Sequence, residues 1–152
     1  MKRWLAFLPV LLILLTSCNG DGQAVTKQVV QKENQAEVSN TFTSGSYKMI
    51  GEEERIGFIY SDASAFKAGE PNKYMWHLWG DEDELNGSLK VIGTHQETNE
   101  EIVVFESDEL AGPHNGADAH VPSTMQLPST GVWELDAYVG EEFFGTIVVE
   151  VM

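Results

Sequence analysis

The chain carries one cysteine, Cys18, directly after Leu15-Thr16-Ser17. A single thiol forms no disulfide within the chain, so whatever folds here folds by packing alone. Its position is equally informative. Lys2 and Arg3 give a positive start, and Trp4 to Leu15 is a run of twelve almost wholly apolar residues. That run is shorter than the roughly 20 residues of a membrane-spanning helix. A basic start, a short apolar run and then small residues form the pattern of a secretory signal. With Cys18 following at once, the stretch reads as a bacterial lipobox, in which the thiol receives diacylglycerol and the signal is cut just before it. An ordinary signal with a chance cysteine is the alternative, but it leaves the placing of the one thiol unexplained. Two acyl chains hold stably where one does not, at roughly 0.8 kcal/mol per buried methylene. Residues 1–17 are therefore expected to be a lipoprotein signal peptide and Cys18 the site of lipidation. The protein is expected on the outer face of the cytoplasmic membrane, held there through its lipid.

The whole chain has a formal net charge of −15. Loss of residues 1–17 removes Lys2 and Arg3 and no acid, leaving 7 basic and 24 acidic residues, net −17. After Lys90 there is no Lys or Arg, and there are twelve acids. Such a surface repels nucleic acid and anionic headgroups, so a nucleic-acid partner is not expected. The acidity serves solubility or draws cations and basic partners.

Residues 18–41 are read as the lipidated cysteine and a flexible linker. Asn19 to Asn40 is rich in Gln, Asn, Glu, Lys, Gly and Ser and holds no aromatic residue, so it lacks the apolar surface to order itself. The domain is expected to fold without it. Residues 42–152 turn globular, and the pattern is β throughout. Ile56, Phe58 and Tyr60 alternate with Gly57 and Ile59. Trp133, Leu135, Ala137 and Val139 alternate with Glu134 and Asp136, and Phe143, Gly145, Ile147, Val149 and Val151 share a side. Tyr74 to Trp79 is apolar on both faces, with Tyr74, Trp76 and Leu78 against Met75, His77 and Trp79. A strand of that kind is covered on both sides, or one of its faces is a binding surface. Seven or eight short strands at fairly regular spacing, without a convincing helix, predict an all-β fold, an immunoglobulin-like antiparallel β-sandwich.

Four stretches invite chemistry. Leu127-Pro128-Ser129-Thr130-Gly131 matches the LPxTG wall-sorting signal, but no apolar span and basic tail follow it, so it reads as a turn leading into a strand. Asp81 to Gly87 suggests a calcium loop, yet counting from Asp81 puts Leu85 at the fifth position and Asn86 where glycine is needed. The remaining reading is a solvated turn ending in Asn-Gly. Within residues 112–123, read as a loop, His114, Asp118 and His120 are metal ligands by type. They lack an evident third or fourth partner in the sequence. His77 lies in the most apolar strand, where a satisfied core histidine is the simpler reading. No catalytic constellation and no cofactor motif is present. Trp79, with His77, is the best aromatic candidate for a ligand surface.

Taken together, Lys73-Tyr74-Met75-Trp76-His77-Leu78-Trp79-Gly80, Asn115-Gly116-Ala117-Asp118-Ala119-His120, Leu127-Pro128 with Gly131-Val132-Trp133, and Gly145-Thr146-Ile147-Val148-Val149-Glu150-Val151 resemble the YhfM-like lipoproteins of Bacillus, a family defined as a domain of unknown function. The resemblance spans roughly Ser46 to Val151 and implies a Gram-positive host and an extracytoplasmic lipoprotein, with no activity attached. It leads to Asn at the position of His114, where this chain departs, and that departure weighs against a His114–His120 metal site. The expectation is a membrane-anchored binding or interaction module with an unknown protein or envelope partner. The rivals are a metal-dependent or hydrolytic enzyme using residues 112–123 and a structural component of the cell envelope.

Overall fold

The computed structural model describes residues 36–152. The signal peptide, Cys18 and most of the expected linker lie outside the described residues. Nine strands form: β1 (Thr41–Ser44), β2 (Tyr47–Glu52), β3 (Ile56–Ile59), β4 (Asn72–Leu78), β5 (Leu89–His95), β6 (Glu101–Glu106), β7 (Ala119–Met125), β8 (Gly131–Val139) and β9 (Glu142–Val151). They make two antiparallel sheets, one in the order β1-β2-β3-β4-β7 and one in the order β6-β5-β8-β9. Within them, β3-β4-β7 and β6-β5-β8-β9 reproduce the A-B-E and C′-C-F-G orders of an immunoglobulin-like sandwich. The β1–β2 hairpin extends the first sheet beyond its A strand.

Two of the nine strands were not among those expected. One is β1, at the end of the presumed linker. The other is β7, whose first five residues belong to the stretch 112–123 read as a loop. Ala119, Val121, Ser123 and Met125 point inward and Pro122 and Thr124 outward. Proline fits here because β7 is an edge strand, where a missing N–H leaves no ladder bond unmade.

The core between the sheets is built around two fully buried tryptophans, Trp76 on β4 and Trp133 on β8. Each indole N–H is satisfied: Trp76 Nε1 donates to Ser123 Oγ at 3.1 Å, and Trp133 Nε1 to the Ser129 carbonyl at 3.1 Å. Ser123 Oγ donates onward to the Tyr74 carbonyl. Phe58 packs against Trp76 and Tyr74 at centroid distances of 5.0 and 5.1 Å, and Phe66 stacks on Tyr74 at 4.5 Å. Leu127 is buried, and the Thr130 carbonyl meets His95 Nε2 at 2.9 Å. Residues 127–131 are thus a structural bend against the core. One inward assignment changes: Phe143 is exposed and Phe144 is buried. A register shift beside Tyr138 pairs Ala137 with Gly145 and Tyr138 with Phe143, leaving Phe144 as the extra residue of a bulge.

The free edge of β9 is covered. The Ser39 N–H donates to the Val148 carbonyl, and the Val148 N–H to Ser39 Oγ. Phe66 pairs in parallel with Val151 at the other end of the strand. The domain's own hydrogen bonds therefore begin ahead of residue 42, with the Ala36 carbonyl, which accepts from Gln96 Nε2, and with Ser39 and Asn40, the latter's carbonyl accepting from the Gly51 N–H.

Candidate functional site on the outer face of β4

Alternation along β4 turns Tyr74, Trp76 and Leu78 into the sandwich and Met75 and His77 to the outside, with Trp79 next on that outer side. Across the sheet from His77 comes Gly57, and beyond it Gly51. Two adjacent glycines leave a trough in the outer face, and the Phe42 ring lies in it. A Cβ on Gly57 would stand 2.7 Å from Phe42 Cζ, so only glycine admits the ring. Phe42 in turn meets Trp79 edge-on, with centroids 5.9 Å apart at 65°.

The segment between β6 and β7 folds back over this face and ends in a tight turn. His114 and Ala117 exchange backbone hydrogen bonds, and the two central residues, Asn115 and Gly116, have φ of 49° and 86°. Asn-Gly with both φ values positive is the signature of a type I′ turn. The turn's remaining polar groups hold the surface beneath it. Asn115 Nδ2 donates to His77 Nε2 at 3.1 Å, and Ser44 Oγ donates to the Asn115 carbonyl at 2.9 Å. Trp79 Nε1 donates to the Gly116 carbonyl at 2.7 Å, and the Gly80 N–H to Asp118 Oδ2 at 3.1 Å.

Three imidazoles form a stack within this arrangement. His77 and His114 lie nearly parallel, 5.9 Å apart at 14°, and His114 and His120 are 4.6 Å apart. His77 Nδ1 donates to the Met75 carbonyl at 3.0 Å, which leaves Nε2 as the acceptor for Asn115. The ring is thereby held as a neutral tautomer. Burial lowers its pKa below the usual histidine value, partly opposed by the Met75 carbonyl, and the neighbouring His114 and His120 lower it further.

The expected site residues thus divide. His77 is wholly buried beneath the turn, whereas Trp79 is half-buried. The His114 and His120 rings are tilted by 33°, and His120 Nδ1 donates to the Gly112 carbonyl at 2.7 Å. Asp118 is exposed and turns its carboxylate to Gly80. Among the described residues, no group of three or more His, Cys, Asp or Glu is placed to hold a metal ion. In the acidic stretch 81–87, Glu84 is held by Arg55 at 3.1 Å and by the Asp81 N–H at 3.2 Å. The Asp81 N–H, with Arg55, keeps that carboxyl below the usual glutamate range. Arg55 itself lies over the Phe144 ring, 3.7 Å from its centroid.

Beside Trp79 a cavity of about 280 Å³ opens, lined by Phe42, Trp79, Glu53, Glu54 and the β1–β2 turn. The sequence reading included Trp79 but not Phe42, Glu53 or Glu54. Phe42 adjoins the linker, and the two glutamates look like any solvated turn. The available signal was the pair Gly51 and Gly57 in neighbouring strands, since a gap in a sheet face invites a ring.

Residues 25–149 match the model of a domain of unknown function, DUF4871. The chain belongs to the DUF4871 family. Among solved structures, this DUF4871 protein is similar to a "Putative Lipoprotein from Bacillus anthracis", at 25% identity and a TM-score of 0.60, covering 76% of this chain and 86% of that one. A superoxide reductase (neelaredoxin) from Ignicoccus hospitalis matches at 12% identity and a TM-score of 0.41, covering 65% and 81%. The Lin-41 filamin domain matches at 9% and 0.40, covering 67% and 97%. No curated protein matches the chain.

Proposed function

We propose that this DUF4871 protein is an extracytoplasmic lipoprotein, anchored through Cys18 to the outer face of a Gram-positive cytoplasmic membrane, whose sandwich serves as a binding module. Within DUF4871 we place it with the YhfM-like lipoproteins of Bacillus, on the motifs that run from Lys73 to Gly80 and from Asn115 to His120. The anchor is supported by the lipobox and by the likeness to the Bacillus anthracis protein. The observation that carries the binding reading is the outer face of β4. A type I′ turn and a glycine trough position Trp79 half-buried, with its N–H already satisfied and its ring beside a cavity. The imidazoles that suggested chemistry act in holding the turn down: His77 is engaged at both nitrogens and His120 at one.

Two variants test this reading. Cys18→Ala should leave the protein unprocessed or release it from the membrane fraction, and mature protein with an unmodified Cys18 thiol by mass spectrometry would end the anchoring claim. Envelope material captured by the wild-type protein should be lost with Trp79→Ala and kept with Val103→Ala, an exposed apolar residue on the other sheet. Equal capture by both variants would remove Trp79 from the binding surface.

A further inference from the structure

The chemistry of the cavity beside Trp79 narrows what it takes. Its two aromatic residues, Phe42 and Trp79, meet edge to face. The Trp79 N–H is bound to the Gly116 carbonyl and the Ser44 hydroxyl donates to the Asn115 carbonyl, so neither offers a donor to a ligand. The rest of the lining includes the Phe42 and Trp79 rings, the carboxylates of Glu53 and Glu54, and the Thr43 hydroxyl, whose oxygen can accept from a ligand. No Lys, Arg or His lines the cavity. The nearest base in sequence, Arg55, is directed elsewhere, onto Glu84 and the Phe144 ring. An adjoining hollow adds Glu37 and Glu52 on the far side of Phe42.

The backbone fixes where one of these carboxylates sits. Glu54 sits in the three-residue connection between β2 and β3 with φ of 59°. Glycine or asparagine occupies that left-handed conformation with less strain. A glutamate held there keeps a carboxylate beside the cavity against local backbone preference. Aromatic rings with two carboxylates, a hydroxyl oxygen and no basic side chain complement an organic cation. The volume, about 280 Å³, lies at the small end of ligand sites and suits a head group rather than a whole drug-sized molecule.

We infer that the Phe42–Trp79–Glu53–Glu54 cavity binds an organic ammonium group, a quaternary head group or the amine of a lysine side chain. This rests on the reading of the Trp79 face as the binding surface and names its ligand class.

The test uses the lipidated protein in a nonionic maltoside detergent, with ¹H–¹⁵N spectra following the Trp79 indole and the amides of Glu53 and Glu54. Titration to about 50 mM at fixed ionic strength reaches the millimolar affinity expected of a lone ammonium group. Tetramethylammonium and choline represent the quaternary source, and Nα-acetyl-lysine amide the primary one. Whichever arm binds more tightly names the source. The expected result is a saturable shift centred on Trp79, weakened about tenfold by Glu53→Gln with Glu54→Gln and by added salt. Glu54→Gly separates ligand from fold: it should weaken binding while raising the melting temperature. Three results overturn the inference. One is an equal shift with 3,3-dimethyl-1-butanol, the uncharged isostere of choline. Another is an equal response to sodium or calcium, meaning a merely acidic surface. The last is no shift in any arm. If the ligand class fails while capture of envelope material still depends on Trp79, the binding face stands and only its ligand is misassigned.

Discussion

The two faces of β4 are built from similar residues and do different work. On the inner face, Tyr74, Trp76 and Leu78 are sealed by the opposite sheet. On the outer face, Met75, His77 and Trp79 have no second sheet above them, and the turn from His114 to Ala117 covers part of the surface instead. Trp76 gives its N–H to a buried serine hydroxyl, whereas Trp79 gives its N–H to the carbonyl of a surface turn. The lesson is that apolarity on both sides of a strand does not make both sides core. The inner side is fixed by close packing. The outer side is fixed by a few hydrogen bonds and ring contacts.

The comparison can be broken most forcefully at the inner face. Trp133→Ala should cost about 3–5 kcal/mol, a large part of the stability of a domain this size. Trp76→Ala should match it. Trp79→Ala removes a half-covered ring and should cost about 1–2 kcal/mol. Urea denaturation of the three variants decides the point, and equal losses would make both faces core. Asn115→Ala follows at about 1 kcal/mol, from the lost bond to buried His77 and the strain of alanine at positive φ. Its measured signature should be a loosened turn, read as new exposure of Trp79 in fluorescence, with the urea midpoint lowered less than by Trp79→Ala.

Acid should act on the outer face as well. Folded His77 titrates below its unfolded value of 6.5. The unfolded chain therefore binds the extra proton first, and stability rises with pH through that interval. The contribution is complete above pH 6.5 and is lost as pH falls from there through the pKa of the folded ring. His77→Gln should flatten that part of the melting-temperature profile, and an unchanged slope would show that the ring is not held neutral. The smallest effect is expected at the chain's entry. A domain beginning at Thr41 lacks the Ser39 bonds to Val148 and should melt a few degrees below one beginning at residue 36. Identical melting would mean the strap contributes nothing.

Much of the sandwich was legible because period-two patterns survive into the sheets. Residues 133–139 face as their alternation predicts, and Trp76 and Trp79 fall on opposite sides. Strand β7 was masked by Pro122, which argues against a strand unless an edge position is known. The inward face of β9 was misread at its start because a bulge leaves no mark in composition, so Phe143 and Phe144 exchange roles. At the candidate site, the outward placing of Trp79 was legible from its strand, and His77 as a satisfied buried ring. The partners were not. Phe42, Glu53 and Glu54 come to Trp79 only through the pairing of β1, β2, β3 and β4, and pairing across loops is not a local property of the chain.

Native-state hydrogen exchange tests the distinction between the faces most directly. Amides of β8 around Trp133 should exchange only on global unfolding, with a strong dependence on added denaturant. The backbone amides of His114 and Ala117 and the indole N–H of Trp79 should exchange through a local opening of lower free energy, nearly independent of denaturant. A common free energy and a common denaturant dependence for both sets would contradict the account, because the turn over β4 would then be as much a part of the core as Trp133.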